Sequence, residues 1–524
     1  MSLFFKAIHR TKTFHFAMFL ILLSTSAAAA LRLPAVLSDH MVLQRDIPIN
    51  LWGWAEPNET ITVRFNGNEI STQADEKGHW QTQFPAQAAS SVPMEMTFTG
   101  TTGAPLSLQD ILVGEVWLCS GQSNMEWPLA STHSPTPEIL RASHPRIRLL
   151  AVPRKPANDP QDDIEAEWKV CLPENVRDFS AVAYYFGRNI HTAIDMPIGL
   201  IESDWGGTRI ETWTPPAGFQ AVPEVTAIYQ QLEDEKKTYR MNLKSALSDI
   251  RNWTQKTQDA LRNNASIPSL PDLPKHPLTN HQRATALYNG MIHPLIRFAI
   301  RGAIWYQGEA NRDDGLLYRD KMEALIKGWR SVWRQGDFPF YYVQLAPFNY
   351  WYDWLETNGT VPDFLRLPLI WEAQTDCLKI PNTGMAVVTD ITNLYDIHPR
   401  NKRDVGDRLA LWARAKIYGE DNLVYSGPLY DNMTIEGEAV RIHFKHTGSG
   451  LISFDFQPLR WFEIAGEDGI YYKAQAEING NTVLVRSQAV KKPAAVRYAW
   501  HQIATPNLGN REGLPASPFR TDRW

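Results

Sequence analysis

The chain has 524 residues, 44% of them hydrophobic, and a formal net charge of -5. That length is too great for one core, so several domains are expected, and the ordinary apolar content excludes extended disorder. The charge is small and carries no long single-sign block, which excludes a nucleic-acid footprint.

Lys6, His9, Arg10 and Lys12 precede an apolar run from Phe14 to Leu23, and Ser24 to Ala30 are small. This order reads as a secretory signal peptide over 1–30, cleaved near Ala28 to Ala30. The apolar run is too short to span a bilayer, and no later run reaches 18 apolar residues. The expected mature protein is secreted or periplasmic, without stable membrane insertion. Three cysteines, Cys119, Cys171 and Cys377, allow at most one disulfide and give no zinc-ligand spacing. No metal and no cofactor are expected.

Residues 31–105 read as a β-sandwich domain. Ile49 to Trp54, Ile61 to Phe65, Trp80 to Phe84 and Met94 to Phe98 alternate in part between apolar and polar, with turns at Asn66-Gly67 and Lys77-Gly78. From 106 to about 420, strands alternate with helical stretches. The strands are Glu115 to Cys119, Pro197 to Ser203, Gly302 to Tyr306, Pro339 to Leu345 and Gly384 to Thr389. The helices are Phe179 to Ile194, Tyr318 to Trp333 and Lys402 to Tyr418. This alternation implies a mostly parallel sheet covered on both faces. A helical, charged insertion at about 215–280 interrupts it, with a Pro-rich return from Pro268 to Pro277. Residues 421–524 read as a second β domain, with strands Met433 to Glu436, Val440 to Phe444, Tyr472 to Ile478 and Thr482 to Arg486. Asn479-Gly480 makes a hairpin turn there.

Four strand ends carry chemistry. Gly121-Gln122-Ser123-Asn124-Met125 follows the first strand and presents Ser123 as a candidate nucleophile; a helix-capping serine is the alternative. Gly206-Gly207-Thr208-Arg209 follows the second, and paired glycines let a backbone N–H approach a ligand. Gln307-Gly308-Glu309 follows the third and offers an amide donor. Asp396-Ile397-His398-Pro399 follows the last and sets an imidazole beside a carboxylate. Acyl transfer to serine needs a base, a carboxylate to orient it, and fixed donors for the oxyanion.

Together these blocks resemble the carbohydrate-esterase branch of the SGNH (GDSL-like) hydrolases. Leu33 to Arg45 and His398-Pro399-Arg400-Asn401-Lys402 are similar to segments of sialate O-acetylesterases. The resemblance implies a flavodoxin-like α/β/α hydrolase domain, flanked here by the two β-sandwich domains. It also implies metal-free removal of O-acetyl groups from sugars. Carried over by position, Ser123 is the nucleophile, His398 the base, and the N–H groups of Ser123 and Gly207 with the Gln307 amide form the oxyanion hole. The superfamily places its acid three residues before the histidine. That position is Tyr395 here, so Asp396 is the expected third member of the triad and Asp390 the second choice.

Arg209 is a candidate for binding a substrate carboxylate, with internal pairing to Glu211 or Glu309 as the alternative. Glu126 and Glu309 fit poorly as a glycosidase acid pair. Trp127, Trp205, Trp213 and Trp305 adjoin the blocks, and each taken alone reads as core. The expected activity is O-acetyl ester hydrolysis on sugars, with sialate the first candidate and plant cell-wall xyloglucan or xylan the alternative. A non-catalytic carbohydrate-binding protein is the reading from another class.

Overall fold

The computed structural model describes residues 31–350 and 364–523. The expected signal peptide over 1–30 lies outside the described residues. One strand, Leu106–Gly121, joins the N-terminal half of the chain together. Its start alternates between exposed and buried residues, and from Ile111 onward every residue is buried. An alternating strand suits a sheet with one wet face, and a continuously apolar one suits a parallel sheet covered on both faces. The pairing follows that change. The first part lies beside Ser90–Thr99 and Val42–Gln44 of the N-terminal region, and the second part runs parallel to Ile198–Asp204 and Gly302–Tyr306. The boundary expected at residue 105 therefore falls within one shared sheet.

Across the central sheet the order is Thr383–Ala386, Phe340–Val343, Gly302–Tyr306, Leu106–Gly121, Ile198–Asp204 and His144–Ala151, all parallel, with Trp168–Cys171 antiparallel at the edge. Helices cover both faces. Trp117 and Tyr341 meet Phe186 and Trp412, from helices Ala181–Ile194 and Lys402–Lys416. On the other face, Trp305 and Phe340 meet Trp329 of helix Leu317–Trp333. The strand order reverses around Leu106–Gly121, and at such a reversal the carboxyl ends of the strands open a crevice where ligands bind.

The other regions follow the sequence with two differences. Ile49–Trp54 pairs with His79–Phe84 as a separate two-stranded sheet, packed on the sheet formed by the other N-terminal strands. The insertion is a 37-residue helix, Thr226–Arg262, with a small core of its own that includes Phe219, Val225, Leu232 and Leu278. The C-terminal region has two four-stranded sheets about a second core. Tyr472 to Ile478, read as one strand, is two: Tyr471–Lys473 and Gln475–Asn479 belong to different sheets. The chain crosses between the sheets at Ala474, and unbroken alternation in the sequence does not reveal a strand that changes partner.

Glu115, fully buried in the long strand, ties the N-terminal region to the central sheet. Its carboxylate takes ion pairs from Arg45 on one side and Arg301 on the other. Removing one member of a buried pair leaves the others uncompensated. Glu115→Ala is expected to lower unfolding stability by about 3 kcal/mol, read as a fall of several degrees in Tm by calorimetry.

Candidate active site

The turn after the long strand is held open by steric necessity. Gly121 has φ +150°, and a Cβ there would lie 2.2 Å from the Tyr306 carbonyl oxygen. The N–H of Gln122 donates to that carbonyl at 3.0 Å. The buried Gln122 side chain accepts from the N–H groups of Gly308 and Ala310. Met125 and Glu126 then close a short helix, Ser123–Glu126, on the Gln122 carbonyl. Ser123 is its first residue, at the strand-to-helix junction expected from the sequence.

His398 lies across from it. Its Nε2 is 2.8 Å from Ser123 Oγ, and its ring stacks on Trp127 with centroids 5.0 Å apart. Asp396 accepts the backbone N–H of His398 at 2.9 Å, and the same oxygen lies 3.7 Å from Nδ1. The structure thus brings Asp396 to the far side of the ring, with its hydrogen bond on the backbone and only an ion-pair distance to the imidazole. Asp390, the second choice, is engaged elsewhere: both of its oxygens are held by Arg408, at 2.7 and 2.6 Å. Burial pushes the His398 pKa below its ordinary value and the Lys402 cation adds to that, while Asp396 and Glu126 oppose it. The imidazole therefore stays neutral at a lower pH than a free histidine would.

The backbone leaves two candidate oxyanion donors free. Among the described residues, the N–H groups of Ser123 and Gly207 meet no acceptor. Gly207 has φ +72° and open space where a Cβ would point. Gly206 packs on Ser123, since a Cβ there would lie 3.3 Å from Ser123 Cβ, and its N–H donates to Glu126. The third expected donor is a correction. Gln307 is wholly buried, and its amide N–H groups bond the Thr208 carbonyl at 3.1 Å and Asn311 Oδ1 at 2.7 Å, while its oxygen accepts from Tyr318. Gln307 braces the glycine loop from behind and has no N–H left for an oxyanion.

Arg209 is engaged within the protein. Its guanidinium is paired with Glu211 and Asp314, carboxylates that Lys321 also bonds. Of the two internal partners expected, Glu211 is present, and Asp314 takes the place of Glu309. Glu309 is buried elsewhere, beside Asn124, while Glu126 pairs with Arg154. Trp213 and Trp305 are core, as read, whereas Trp127 and Trp205 are only half buried and face site residues. Trp205 stacks on His281 at 4.6 Å.

Three contributors escape a reading by motif. Asn124 is almost wholly buried, and its Nδ2 donates both to Glu309 and to the carbonyl of Ile397, at 3.1 Å in the latter case. Its Oδ1 accepts from the ammonium of Lys402. It thereby fastens the serine turn to the histidine loop. Gln282, from the end of the insertion, donates to the Gly207 carbonyl at 3.0 Å and accepts from the N–H of Arg209 at 3.3 Å. Asn124 directly after the serine and Lys402 at the end of the histidine segment were visible as positions, without a role. Lys402 and Gln282 lie 278 and 75 residues from the groups they bind.

A hydroxyl in contact with an imidazole, beside unpaired backbone N–H groups at the carboxyl edge of a parallel sheet, is the arrangement of an α/β serine hydrolase. The family model described as "Carbohydrate esterase, sialic acid-specific acetylesterase" matches residues 113–266 and 276–405. The chain belongs to that family and is an ester hydrolase of the carbohydrate esterase kind. It is 29% identical to the sialate O-acetylesterase of Mus musculus over 548 residues, covering 95% of each chain. It is 30% identical to that of Rattus norvegicus, covering 78% of this chain and 77% of the relative. The crystal structure of a carbohydrate acetylesterase from Xanthomonas citri superposes with a TM-score of 0.79 at 37% identity, covering 94% of this chain and all of that one.

The engagement of Asp390 has a measurable consequence. Asp390→Asn breaks a bidentate pair on the largely buried Arg408 and is expected to destabilise the protein by roughly 1–3 kcal/mol. Urea unfolding reads this as a lower midpoint with an unchanged slope.

Proposed function

We propose that the chain is an exported sugar O-acetylesterase acting through an acyl-enzyme on Ser123, with sialic acid as its first candidate substrate. The observation that carries the mechanism is the 2.8 Å contact between Ser123 Oγ and His398 Nε2. His398 takes the hydroxyl proton as Oγ attacks the acetyl carbonyl. The carbonyl oxygen gains charge facing the N–H groups of Ser123 and Gly207, each such donor being worth about 3 kcal/mol. The tetrahedral intermediate collapses, and His398 gives the proton to the departing sugar oxygen. Water then enters, loses a proton to the same imidazole, and releases acetate. Asp396 holds the histidine loop by its backbone and stabilises the imidazolium that forms at each step.

Sialate as substrate is supported by family membership and by the names of the curated relatives. Export is supported by the basic, apolar and small-residue order of residues 1–30. The division at about 105 and 420, with the insertion at about 215–280, belongs to this proposal as a working anatomy. A second reading, a neutral cell-wall sugar as acetyl carrier, has its own support. Arg209, the candidate for a sialate carboxylate, is already paired with two internal carboxylates. The Xanthomonas citri neighbour is described only as a carbohydrate acetylesterase.

Acetate release from O-acetylated sialic acid, O-acetylated xyloglucan oligosaccharides and an aryl acetate separates these readings. The highest kcat/KM is expected on the sialate ester. The highest value on the xyloglucan ester favours the second reading, and no acetate from any of the three contradicts both. Ser123→Ala is expected to lower kcat by about 10⁴-fold or more with the fold retained.

A further inference from the structure

Lys402 is the first residue of helix Lys402–Lys416, yet its side chain is wholly buried at the site instead of reaching solvent. Its ammonium donates to Asn124 Oδ1, next in sequence to Ser123. It lies 5.8 Å from the centroid of Trp127, the ring on which His398 stacks, and 5.3 Å from that of Tyr306. Among the described residues it makes no ion pair. The nearest carboxylate in its network, Glu309, is reached through Asn124, whose other end bonds it. A lysine has only donors and a carboxylate accepts, so the two charges dictate which way the Asn124 amide faces. With that orientation fixed, the amide N–H also reaches the Ile397 carbonyl, immediately before His398.

We propose that Lys402 is a positioning residue of the hydrolytic site: through Asn124 its cation docks the histidine loop on the serine turn, and through space it keeps the His398 imidazole in its neutral, proton-accepting form. The inference rests on the reading of His398 as general base. The charges around His398 are few. Lys402 disfavours the imidazolium, whereas Asp396 from its own loop and Glu126 from the serine helix favour it, and Glu126 is itself offset by Arg154. Around Lys402 stand Glu309 and Asp396. Burial pulls Lys402 down to about 7, against which the carboxylates of Glu309 and Asp396 favour its cation. The sign follows. A cation beside the imidazole lowers the pH at which the base becomes available, and loss of that cation raises it.

The test is the pH dependence of kcat/KM for an aryl acetate, measured on the wild type, Lys402→Gln, Lys402→Arg and His398→Ala. Glutamine keeps a donor for Asn124 and removes the charge. In Lys402→Gln the acid limb is expected to move up by about half to one pH unit, and in Lys402→Arg to return to near the wild-type position. A lysine that only filled space would change kcat or Tm without moving the limb. A folded, active Lys402→Gln enzyme with the wild-type limb overturns the inference while leaving the esterase reading intact. An active His398→Ala enzyme overturns both. If neither Lys402 variant folds, a wild-type limb at or above the ordinary histidine value of 6.5 still overturns the inference, because burial and Lys402 both push His398 below it.

Discussion

The site depends on one long-range contact: residue 398 must reach residue 123 across 275 positions of chain. No single hydrogen bond between a hydroxyl and an imidazole can organise that closure, because its net worth in water is about 1 kcal/mol. The buried amide of Asn124 does more, since it bonds the Ile397 carbonyl, Glu309 and Lys402 together. Asn124 and Lys402 are shielded from water. Breaking the network would leave both of them unsatisfied at once, a cost well above that of a lone surface bond. The Ser123–His398 geometry is therefore set by the parts around it before any substrate arrives, as efficient acyl transfer requires.

The glycine loop is supported in the same manner. Gln307 bonds the Thr208 carbonyl from the core side, and Gln282 grips Gly207 and Arg209 from the side of the insertion. Between the two braces the Gly207 N–H is left without a protein acceptor. A donor held in place but unpaired is ready for charge that develops only in the transition state, and no reorganisation is needed at that moment. This gives the helical insertion a physical tie to the site, through the two residues His281 and Gln282 at its end.

Much of this could be read from the chain because it is local. The mostly apolar run ending at Gly121, the helical spacing from Phe179 to Ile194, and a serine directly after a strand depend on near neighbours. The misreadings share a different property. Gln307 offers an amide at a plausible strand end, yet its hydrogens go to Thr208 and Asn311. Arg209 pairs with Glu211 in its own block, as one alternative had it, and also with Asp314, 105 residues away, which no spacing announced. The strand that begins at Leu106 changes from alternating to continuous burial at Ile111 and so serves two environments in turn, which a boundary at 105 does not express. Whether a polar side chain faces a ligand or a buried partner is decided by tertiary packing, which spacing along the chain does not encode.

The central claim is that Ser123 is the residue that becomes acylated. A phosphonate ester that reacts with activated serines, followed by peptide mass spectrometry, tests it most directly. The account predicts one adduct, on the peptide carrying Ser123, with hydrolysis lost in proportion to labelling and protection by an O-acetylated substrate. Loss of activity with the adduct on another residue, or full activity after stoichiometric labelling of Ser123, would contradict it.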